Sequence, residues 1–559
     1  MFFCACEKPI STASHSPVSG HLVDILATRT STAMALTELL GAVPLVSSGM
    51  PKFQVAAIYL VLGFISWYTI SSITAWYRLK DFPGPPTTGF SNLWAARAVW
   101  TGKSWKIFPE AQEKHGPITR IGPNALMVRD PATVVNINGV RGGYHRPKDF
   151  YDCIRMDPWD HTVLSETDSA VHNDRKTKIY GGYNGRGEMD MEKDVNMVVS
   201  DAVELIRTKY MHSATSGPKP PLDYCRTARL IAVDSVTQTG FGKAWGDVRE
   251  EKDHYGWLAF VDQMFRYLHT FAYIPALSKI VASKPVMILF GPKPTDNTGM
   301  GQFLGLIERE VAKRYKNGEA KGEPIKSDTG RSCMLDEWVK NGISQRMAAL
   351  EVSAQLPAGS DTTATALQGT MLYLLSNPTA YSRLKSEIAT GIREGRISSP
   401  ITDKEARQLP YLQAVLNEGI RMVPPVMNGF PRQVPPEGDT ICGRFIPGGT
   451  DIFVDYVGML KDKSVFGEDA HMFRPERYLE GTKEHRDRLF KTTDLAFSHG
   501  KWKCLGQKLA WLQLQKVTVE FMRNFDLQIV DPMNPCRIRC FCTPELDDLM
   551  VRVTEAKLE

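Results

Sequence analysis

The stretch AFSHGKWKCLGQKLA, Ala496–Ala510, places one cysteine, Cys504, between glycines and lysines directly before an apolar segment. Apolar residues then recur at helical spacing, which predicts a core helix that begins just after the cysteine. They are Ala510, Leu514, Val517, Phe521 and Phe525. Free N–H groups and the dipole at a helix start lower the pKa of a thiol and stabilise the thiolate. Gly500 and Gly506 let the loop backbone approach a large flat ligand closely, so the stretch predicts a functional thiolate.

The remaining cysteines narrow the role of this thiolate. The chain has 10 cysteines without the dense, even spacing of a secreted disulfide framework, so reduced thiols are expected. A cysteine nucleophile needs a histidine base, and a zinc site needs further ligands at short spacing; neither pattern lies near Cys504. The segment CRIRCFC at 536–542 lacks a CxxC pair and is interpreted as structural. One thiolate as the sole protein ligand suggests haem iron.

A second apolar segment, Met347–Leu375, is predicted to form a long buried helix, because its only charged residues are Glu351 and Asp361. Its middle, LPAGSDTTA, contains proline, glycine and hydroxyl residues that disfavour a helix interior. This composition indicates either a packing kink, with the hydroxyls bonded back to the preceding turn, or a ligand pressed against the backbone. An unpaired carboxyl is costly in an apolar helix. Asp361 beside Thr362 is a pair that can relay protons to a bound group.

The segment FQVAAIYLVLGFISWYTISSITAWY, Phe53–Tyr77, contains 25 residues and no charged group. At about 1.5 Å rise per residue it can cross a bilayer core of roughly 30 Å. Arg78 and Lys80 follow it whereas Lys52 alone precedes it nearby, so the positive-inside rule places the C-terminal part in the cytosol. Its length and its distance from Met1 indicate an uncleaved signal anchor, with a buried core helix as the alternative.

Composition and punctuation suggest the domain organisation. The net charge of +5 over 559 residues shows no long run of one sign, which argues against a nucleic-acid-binding tail. We expect a disordered leader at 1–52, a transmembrane anchor at 53–77, a basic and proline-rich hinge at 78–86 and one large domain at 87–559. The hinge contains DFPGPP, which cannot continue a helix. Residues 1–33 belong to the leader or are an upstream extension of a protein that begins at Met34; both alternatives stay open.

The large domain is expected to contain more helix than strand. Predicted helices include Asp194–Tyr210, Met300–Tyr315 and Pro378–Arg393. Strand-like pieces such as TRIGPNALMV and TDIFVDYVGM are few. The sequence therefore predicts a mainly α fold with small β-sheets.

Four motifs in a fixed order give the chain a resemblance to a known family. FSHGKWKCLG resembles the haem-binding signature of cytochrome P450 enzymes, and AGSDTT resembles the oxygen-binding segment of their long central helix. The matching signature residues are Phe497, Gly500, Cys504 and Gly506. EGIR and FRPERY resemble segments that form a buried charge network behind the haem, here Glu418, Arg421 and Arg477. The resemblance covers about residues 81–550 and implies the P450 haem-thiolate fold with one N-terminal transmembrane helix.

The resemblance implies a monooxygenase that inserts one oxygen atom from O2 into a lipophilic small molecule by hydroxylation, epoxidation or a related oxidation. Cys504 thiolate would ligate haem b, and Asp361 and Thr362 would deliver protons. The chain shows no flavin or nicotinamide motif, so electrons are expected from NADPH through a membrane-bound cytochrome P450 reductase, with Lys501 and Lys503 helping to dock it. The alternatives are a reductase-independent haem-thiolate isomerase or dehydratase, and a non-catalytic haem-binding protein.

The chain departs from the family pattern at two positions of the signature. Ser498 stands where the family usually has glycine, and Trp502 where it usually has arginine or histidine. A haem propionate is therefore expected to lack one cationic partner. Three other cofactor-binding candidates compensate in this interpretation, with a solvated surface charge as the alternative for each. They are Arg432, His172 and Lys176.

Substrate and setting rest on the resemblance as well. PPEGDTICGRFIPGGT and GKWKCLG look most like a filamentous-fungal branch, the pisatin demethylase-like enzymes, many of which tailor secondary metabolites such as terpenoids or polyketides. The residues expected to line the substrate pocket are Ala358, Thr362, Val426 and Met427. We expect a monomer, held in the endoplasmic reticulum membrane by a single span, that contacts membrane lipid and a reductase and binds no nucleic acid.

Overall fold

The computed structural model describes residues 52–557 except 141, 186, 188, 213–218, 316–323 and 326–329. The leader predicted at 1–52 lies outside the described residues, apart from Lys52. The chain divides into two compact units, residues 1–71 and 72–559.

The first described helix, α1, runs Lys52–Arg78. Its segment Gln54–Arg78 is long and apolar enough to cross a membrane, and no residue of its most apolar window is buried. A core helix would bury one face at least. The prediction of a helix able to span a membrane is confirmed, and the buried-helix alternative is wrong.

The last turns of α1 belong to the second unit, where Arg120 binds them. The Arg120 guanidinium is buried and donates to the carbonyl oxygens of Ala75, at 2.8 Å, and Trp76, at 3.2 Å. Arg78 donates to Asn124 Oδ1 at 2.8 Å. These bonds satisfy carbonyl groups that the helix end leaves without intrahelical partners.

Helices make up most of the second unit. They are α2 Leu93–Trp100, α3 Ser104–His115, α4 Pro131–Asn138, α5 Lys148–Cys153, α6 Ser169–Tyr183, α7 Met191–Lys209, α8 Tyr224–Phe241, α9 Asp247–Glu250, α10 Trp257–Ala272, α11 Pro275–Val281, α12 Lys284–Phe290, α13 Gly299–Ala312, α14 Met334–Lys340, α15 Gln345–Leu375, α16 Pro378–Arg393, α17 Asp403–Ala406, α18 Pro410–Met422, α19 Tyr456–Leu460, α20 Lys463–Phe466, α21 Lys483–Asp494 and α22 Gln507–Asn524. Short 3-10 turns lie at Pro475–Tyr478, Leu495–Phe497 and Gly500–Trp502.

The strands are short and form small sheets. They are β1 Ile118–Gly122, β2 Ala125–Val128, β3 Met211–His212, β4 Leu222–Asp223, β5 Arg432–Gln433, β6 Asp439–Ile441, β7 Arg444–Ile446, β8 Asp451–Val454, β9 Phe525–Ile529, β10 Arg537–Cys540, β11 Pro544–Asp547 and β12 Met550–Glu555. One sheet has the order β1-β2-β8-β5 and another β3-β12-β4, with β9 also paired to β12. Hairpins β6-β7 and β10-β11 complete the set in the described residues. The predicted fold class, mainly α with small sheets, is confirmed.

The central helix α15 lies in the core, with α8 and α18 packed along it. It exceeds the predicted span Met347–Leu375 by two residues, because Ser344 caps its start by accepting a bond from the Met347 N–H. Pro357 stands inside the helix without ending it. The helix therefore continues through LPAGSDTTA, although the composition of this segment disfavours a helix interior.

The hydroxyls of this segment bond back to the preceding turn. Ser360 Oγ donates to the Leu356 carbonyl at 2.8 Å, and Thr362 Oγ1 donates to the Ala358 carbonyl at 2.7 Å. This is the bonding pattern of the packing alternative. It leaves the helix continuous where the segment meets the cavity described below.

The predicted charge network is present as a set of contacts. Glu418 and Arg421 lie one turn apart on α18, and both Arg421 Nε and Nη2 bond the Glu418 carboxylate at 2.7 Å. Arg477 Nε bonds Glu418 Oε1 at 3.0 Å. All three side chains are buried, so each charge depends on its partners in place of water.

Candidate active site

The Cys504 loop is shaped by two tight turns that precede α22. The Cys504 N–H donates to the Phe497 carbonyl at 2.8 Å, which closes the loop. Gly500 adopts a φ of +58°, and a Cβ there would collide with the Asn138 carbonyl oxygen. Glycine is therefore required at 500 for both conformation and space.

Ser498 adopts a backbone conformation that glycine normally occupies. Its φ is 64° and its ψ is −173°, a region of backbone space populated almost only by glycine. The departure from the family pattern at this position thus keeps the glycine-type backbone geometry. The backbone of the loop is therefore strained at Ser498.

The Cys504 thiol faces an internal cavity. The accessible part of Cys504 lies on the wall of a cavity with a volume of about 330 Å³. Burial raises the pKa of the Cys504 thiol, while the N–H groups of Gly506 and Gln507 and the charges of Lys176 and Lys503 act in the opposite direction. The expected lowering of this pKa by the helix start is outweighed by burial. A coordinated metal ion is the stronger means of deprotonating such a thiol.

The α15 segment forms the opposite wall of this cavity. Ala358 and Thr362 lie on that wall, as predicted. Asp361 does not line it: its carboxylate lies 3.6 Å from the Arg229 guanidinium of α8, and Arg229 bonds Asp262 of α10 at 2.5 Å. Burial raises the pKa of Asp361 to about 6, with Arg229 opposing the rise and Asp262 adding to it. The acid and the alcohol therefore face different sides of one helix.

Basic groups surround Trp502 at one end of the cavity. The Arg146 guanidinium stacks on the Trp502 ring at 4.0 Å and that of Arg432 lies 5.0 Å from it. The His172 and Trp502 ring centres are 4.4 Å apart. Lys176 Nζ donates to the Lys501 carbonyl at 2.7 Å. Arg432 and His172 are buried, so the alternative of a solvated surface charge is wrong for both.

This cluster of basic groups has no matching acids. In the described part of the chain, Arg146, Lys176 and Arg432 form no ion pair, and Arg146 Nε and Trp502 Nε1 have no hydrogen-bond partner. Glu166, whose charge acts on Arg146, pairs with Arg175 at 3.5 Å. Burial is the main cause that lowers the pKa of Arg146 to about 9. Burial also lowers the pKa of His172 to about 3, which leaves that ring neutral. Arg146 and Arg432 therefore carry buried positive charge whose hydrogen-bond partners are neutral, a setting that favours an anion beside them.

Sequence reasoning missed Arg146. It lies in the loop before α5, and its guanidinium is aimed by two carbonyl acceptors, those of Val163, at 2.9 Å, and Glu166, at 2.8 Å. No local pattern marks it, because both acceptors are distant in sequence. A cation from another element thus occupies the neighbourhood of Trp502, where the sequence predicted one to be missing.

Two predicted residues lie elsewhere. Met427 is buried and does not line the cavity, whereas its neighbour Val426 does. The Met427 N–H donates to the Cys542 carbonyl at 2.9 Å, and the Met427 carbonyl accepts from the Tyr456 N–H at 3.0 Å. Lys501 Nζ turns inward to the Tyr144 carbonyl at 3.3 Å. Lys503 is exposed and pairs with Asp494 at 3.0 Å. The structure therefore does not place Met427 on the cavity wall, and the ammonium of Lys501, predicted to help dock a reductase, bonds an internal carbonyl.

Fold and site define a mainly helical protein with the Cys504 thiol and a cluster of basic groups beside one large, mostly apolar cavity. A family model described as cytochrome P450 matches residues 83–549. The chain belongs to the cytochrome P450 family. Haem iron with cysteine thiolate ligation is the cofactor that this family implies.

Named relatives are fungal enzymes of this family. "Cytochrome P450 monooxygenase aba1" of Botryotinia fuckeliana is 34% identical over 480 residues, covering 86% of this chain and 92% of the relative. "Cytochrome P450 monooxygenase ABA1" of Pyricularia oryzae is 35% identical over 510 residues, covering 90% and 96%. "Cytochrome P450 monooxygenase abl1" of Leptosphaeria maculans is 33% identical over 487 residues, covering 86% and 84%. The predictions of the family and of a haem-thiolate monooxygenase are confirmed.

Proposed function

We propose that this monooxygenase oxidises an apolar small molecule of fungal secondary metabolism, with Cys504 as the haem ligand and NADPH electrons delivered by a reductase. The observation that carries the proposal is the Cys504 thiol on the wall of a cavity that is also lined by the helix bearing Thr362 and, on another face, Asp361. The substrate class rests on the apolar cavity wall and on the fungal relatives.

The residues around the cavity fit a haem. Its carboxylate-bearing edge needs cations, and the buried Arg146 and Arg432 and the half-buried Lys176 offer cations that lack a carboxylate partner among the described residues. Trp502 Nε1 is a further unpaired donor beside them. Gly500 and Gly506 keep the loop free of side chains near Cys504. We assign the propionates to the basic cluster and the iron to Cys504.

A bound haem supplies the activation of O2 for insertion of oxygen into a C–H bond. The chain supplies the surroundings. The N–H groups of Gly506 and Gln507 point to the Cys504 sulfur and restrain its basicity. Thr362 holds its hydroxyl on the cavity wall, where it can donate a proton to a bound group.

Asp361 is assigned to proton supply from behind the cavity wall. Its pKa near 6 lets the carboxyl take and release a proton near neutral pH. Arg229, which is itself bonded to Asp262, holds the Asp361 carboxylate on a face of α15 that does not line the cavity. Thr362 is the next residue along the helix, so the proton passes to its hydroxyl by way of water in this proposal.

We place the enzyme in the endoplasmic reticulum membrane, anchored by the helix Gln54–Arg78 with the second unit in the cytosol. Lys503 and Lys508 are exposed beside the Cys504 loop and are suited to an acidic reductase surface. A reductase-independent isomerase is the second candidate, and the acid and alcohol on α15 disfavour it.

The test is the absorption spectrum of the dithionite-reduced, carbon-monoxide-bound full-length protein. Thiolate-ligated haem gives a strongly red-shifted Soret band, and Cys504→Ser is expected to abolish it. Cys442→Ser is the matched control, since Cys442 is exposed elsewhere on the surface. A red-shifted band that survives in Cys504→Ser would refute the assignment of the ligand. Product formation without NADPH and reductase would favour the isomerase.

A further inference from the structure

His269 is a buried polar group on the cavity wall that the mechanism above does not use. It lies on α10, near the C-terminal end, and only 4% of its surface is accessible. Met264, Phe265 and Leu268 of the same helix line the same cavity. The histidine is therefore one polar side chain in an otherwise apolar stretch of wall.

Its tautomer follows from its one hydrogen bond. His269 Nδ1 lies 3.1 Å from the Phe265 carbonyl oxygen, and since a carbonyl can only accept, Nδ1 carries the proton. Nε2 is then an acceptor, and no described residue donates to it. Burial lowers the pKa of His269 to about 4, so the ring is neutral at physiological pH. At His269 the cavity wall thus offers a ligand the lone pair of Nε2 as a hydrogen-bond acceptor and no positive charge.

The opposite side of this region is apolar as well. The Phe430 ring centre lies 6.3 Å from that of His269, and Val426 and Ile154 also line the cavity. A ligand that fills the cavity shuts Nε2 off from water, and an acceptor left without a donor in such apolar surroundings costs free energy. A ligand that fills the cavity gains affinity when it brings the missing donor.

We propose that the substrate is an apolar molecule carrying a neutral hydroxyl or other O–H or N–H donor, which donates to His269 Nε2 at a distance from the carbon that is oxidised. This inference rests on the proposed function and names the substrate class of the same site. A carboxylate at that position is disfavoured, because the neutral imidazole offers it a lone pair and no positive charge. His269 is a specificity residue that fixes which carbon faces the cofactor.

The test uses probes that need no knowledge of the substrate. A series of N-(ω-hydroxyalkyl)imidazoles, from butyl to dodecyl, binds haem iron through the imidazole and carries its hydroxyl to increasing depth in the cavity. Each is titrated against its methyl ether and its ω-carboxylate, with the Soret shift of the full-length haem protein as the readout. The variants are His269→Leu, His269→Gln and, as a control on the same helix face, Phe265→Leu.

We expect one chain length at which the alcohol binds about tenfold more tightly than its methyl ether. His269→Leu removes this preference, His269→Gln keeps part of it through its amide oxygen, and Phe265→Leu changes both affinities alike. The proposal is overturned if no chain length shows an alcohol preference, if the preference survives in His269→Leu, or if the carboxylate binds best. Absence of any Soret shift with every imidazole would instead contradict the proposed haem site, so the two failures are distinguishable.

Discussion

The Arg146 guanidinium lies 4.0 Å from the centre of the Trp502 ring, although the two residues come from distant parts of the chain. Burial of this pair strengthens the cation–π attraction to about 2 kcal/mol. Trp502 stands at the position of the signature where the family usually has arginine or histidine, and the Arg146 guanidinium packs on its ring. Trp502, which carries no charge itself, thus positions the charge of Arg146 beside the signature loop.

Arg146→Gln is expected to weaken haem retention, because the propionates lose a buried cation. The rate of haem transfer from the ferric protein to apomyoglobin should rise by roughly tenfold or more. Trp502→Arg in the Arg146→Gln background should restore part of the retention by returning the cation to the signature loop. Equal transfer rates for wild type, Arg146→Gln and the exposed control Lys148→Gln would contradict this role.

Ser498→Gly is expected to stabilise the protein. The backbone conformation of Ser498 costs roughly 1–3 kcal/mol. Glycine removes this strain, but its more flexible unfolded state lowers the gain in stability by about 0.5–1 kcal/mol. A net gain of about 1 kcal/mol should appear as a higher denaturant midpoint. Ser498→Ala is the control and should give no gain. A gain of equal size in both variants would point to the hydroxyl and not to the backbone.

Asp361→Asn is expected to slow product formation by about a hundredfold and to leave the red-shifted carbon-monoxide band unchanged. Thr362→Ala tests the partner on the cavity side and should also slow the reaction. Single-turnover product formation with pre-reduced protein separates this effect from electron delivery. Wild-type rates in both variants would remove the two residues from proton supply.

Glu351 makes stability depend on pH. Burial raises its pKa to about 8, with Arg175 opposing the rise, and the Val163 N–H donates to it at 2.9 Å. A raised pKa means that the folded state holds the proton more tightly than the unfolded state. Its stabilisation is therefore complete below pH of about 4.5 and is lost as the pH rises through 8.

The matched variant for this prediction is Glu351→Gln, which cannot titrate. As the pH rises from 5 to 8, the free energy of unfolding of the variant should increase by roughly 2–4 kcal/mol relative to that of the wild type. Denaturant titrations of both proteins at the two pH values measure the difference. Parallel pH dependence of the two proteins would show that Glu351 is ionised throughout.

Val426 and Met427 are neighbours with different surroundings, so they make a matched pair. Val426→Phe should change the ratio of oxidised products, because Val426 lines the cavity. Met427→Leu should leave that ratio unchanged, since Met427 packs away from the cavity. Product analysis by chromatography with mass detection decides between them. A shift caused by Met427→Leu alone would place the substrate on the other side of this segment.

Local motifs carried the prediction of the fold and of half of the site. The helix after Cys504 could be predicted from the spacing of its apolar residues. The long helix around Asp361 could be predicted because the segment is apolar and has few charges. Arg146 could not be predicted, because carbonyls of Val163 and Glu166 aim its side chain. His269 escaped notice for a similar reason, since only the packing of α10 shows that its ring reaches the cavity.

The errors also have physical causes. Met427 follows Val426 directly in the sequence, but only Val426 lines the cavity, because adjacency along the chain does not place two side chains on one surface. The proline, glycine and hydroxyl residues of LPAGSDTTA disfavour a helix interior, yet α15 continues through them, because tertiary packing overrides local propensity. Lys501 turned inward because the Tyr144 carbonyl offers an acceptor, which charge patterns do not reveal.

The bonds between Arg120 and the end of α1 bear on the preparation of shorter, water-soluble forms of the enzyme. A chain that starts near Ser72 keeps the carbonyls of Ala75 and Trp76 that Arg120 binds. A chain cut at the proline-rich segment, just before residue 87, leaves that buried guanidinium without those two acceptors. Crystallisation trials are therefore best served by removing the apolar helix only up to its final turns.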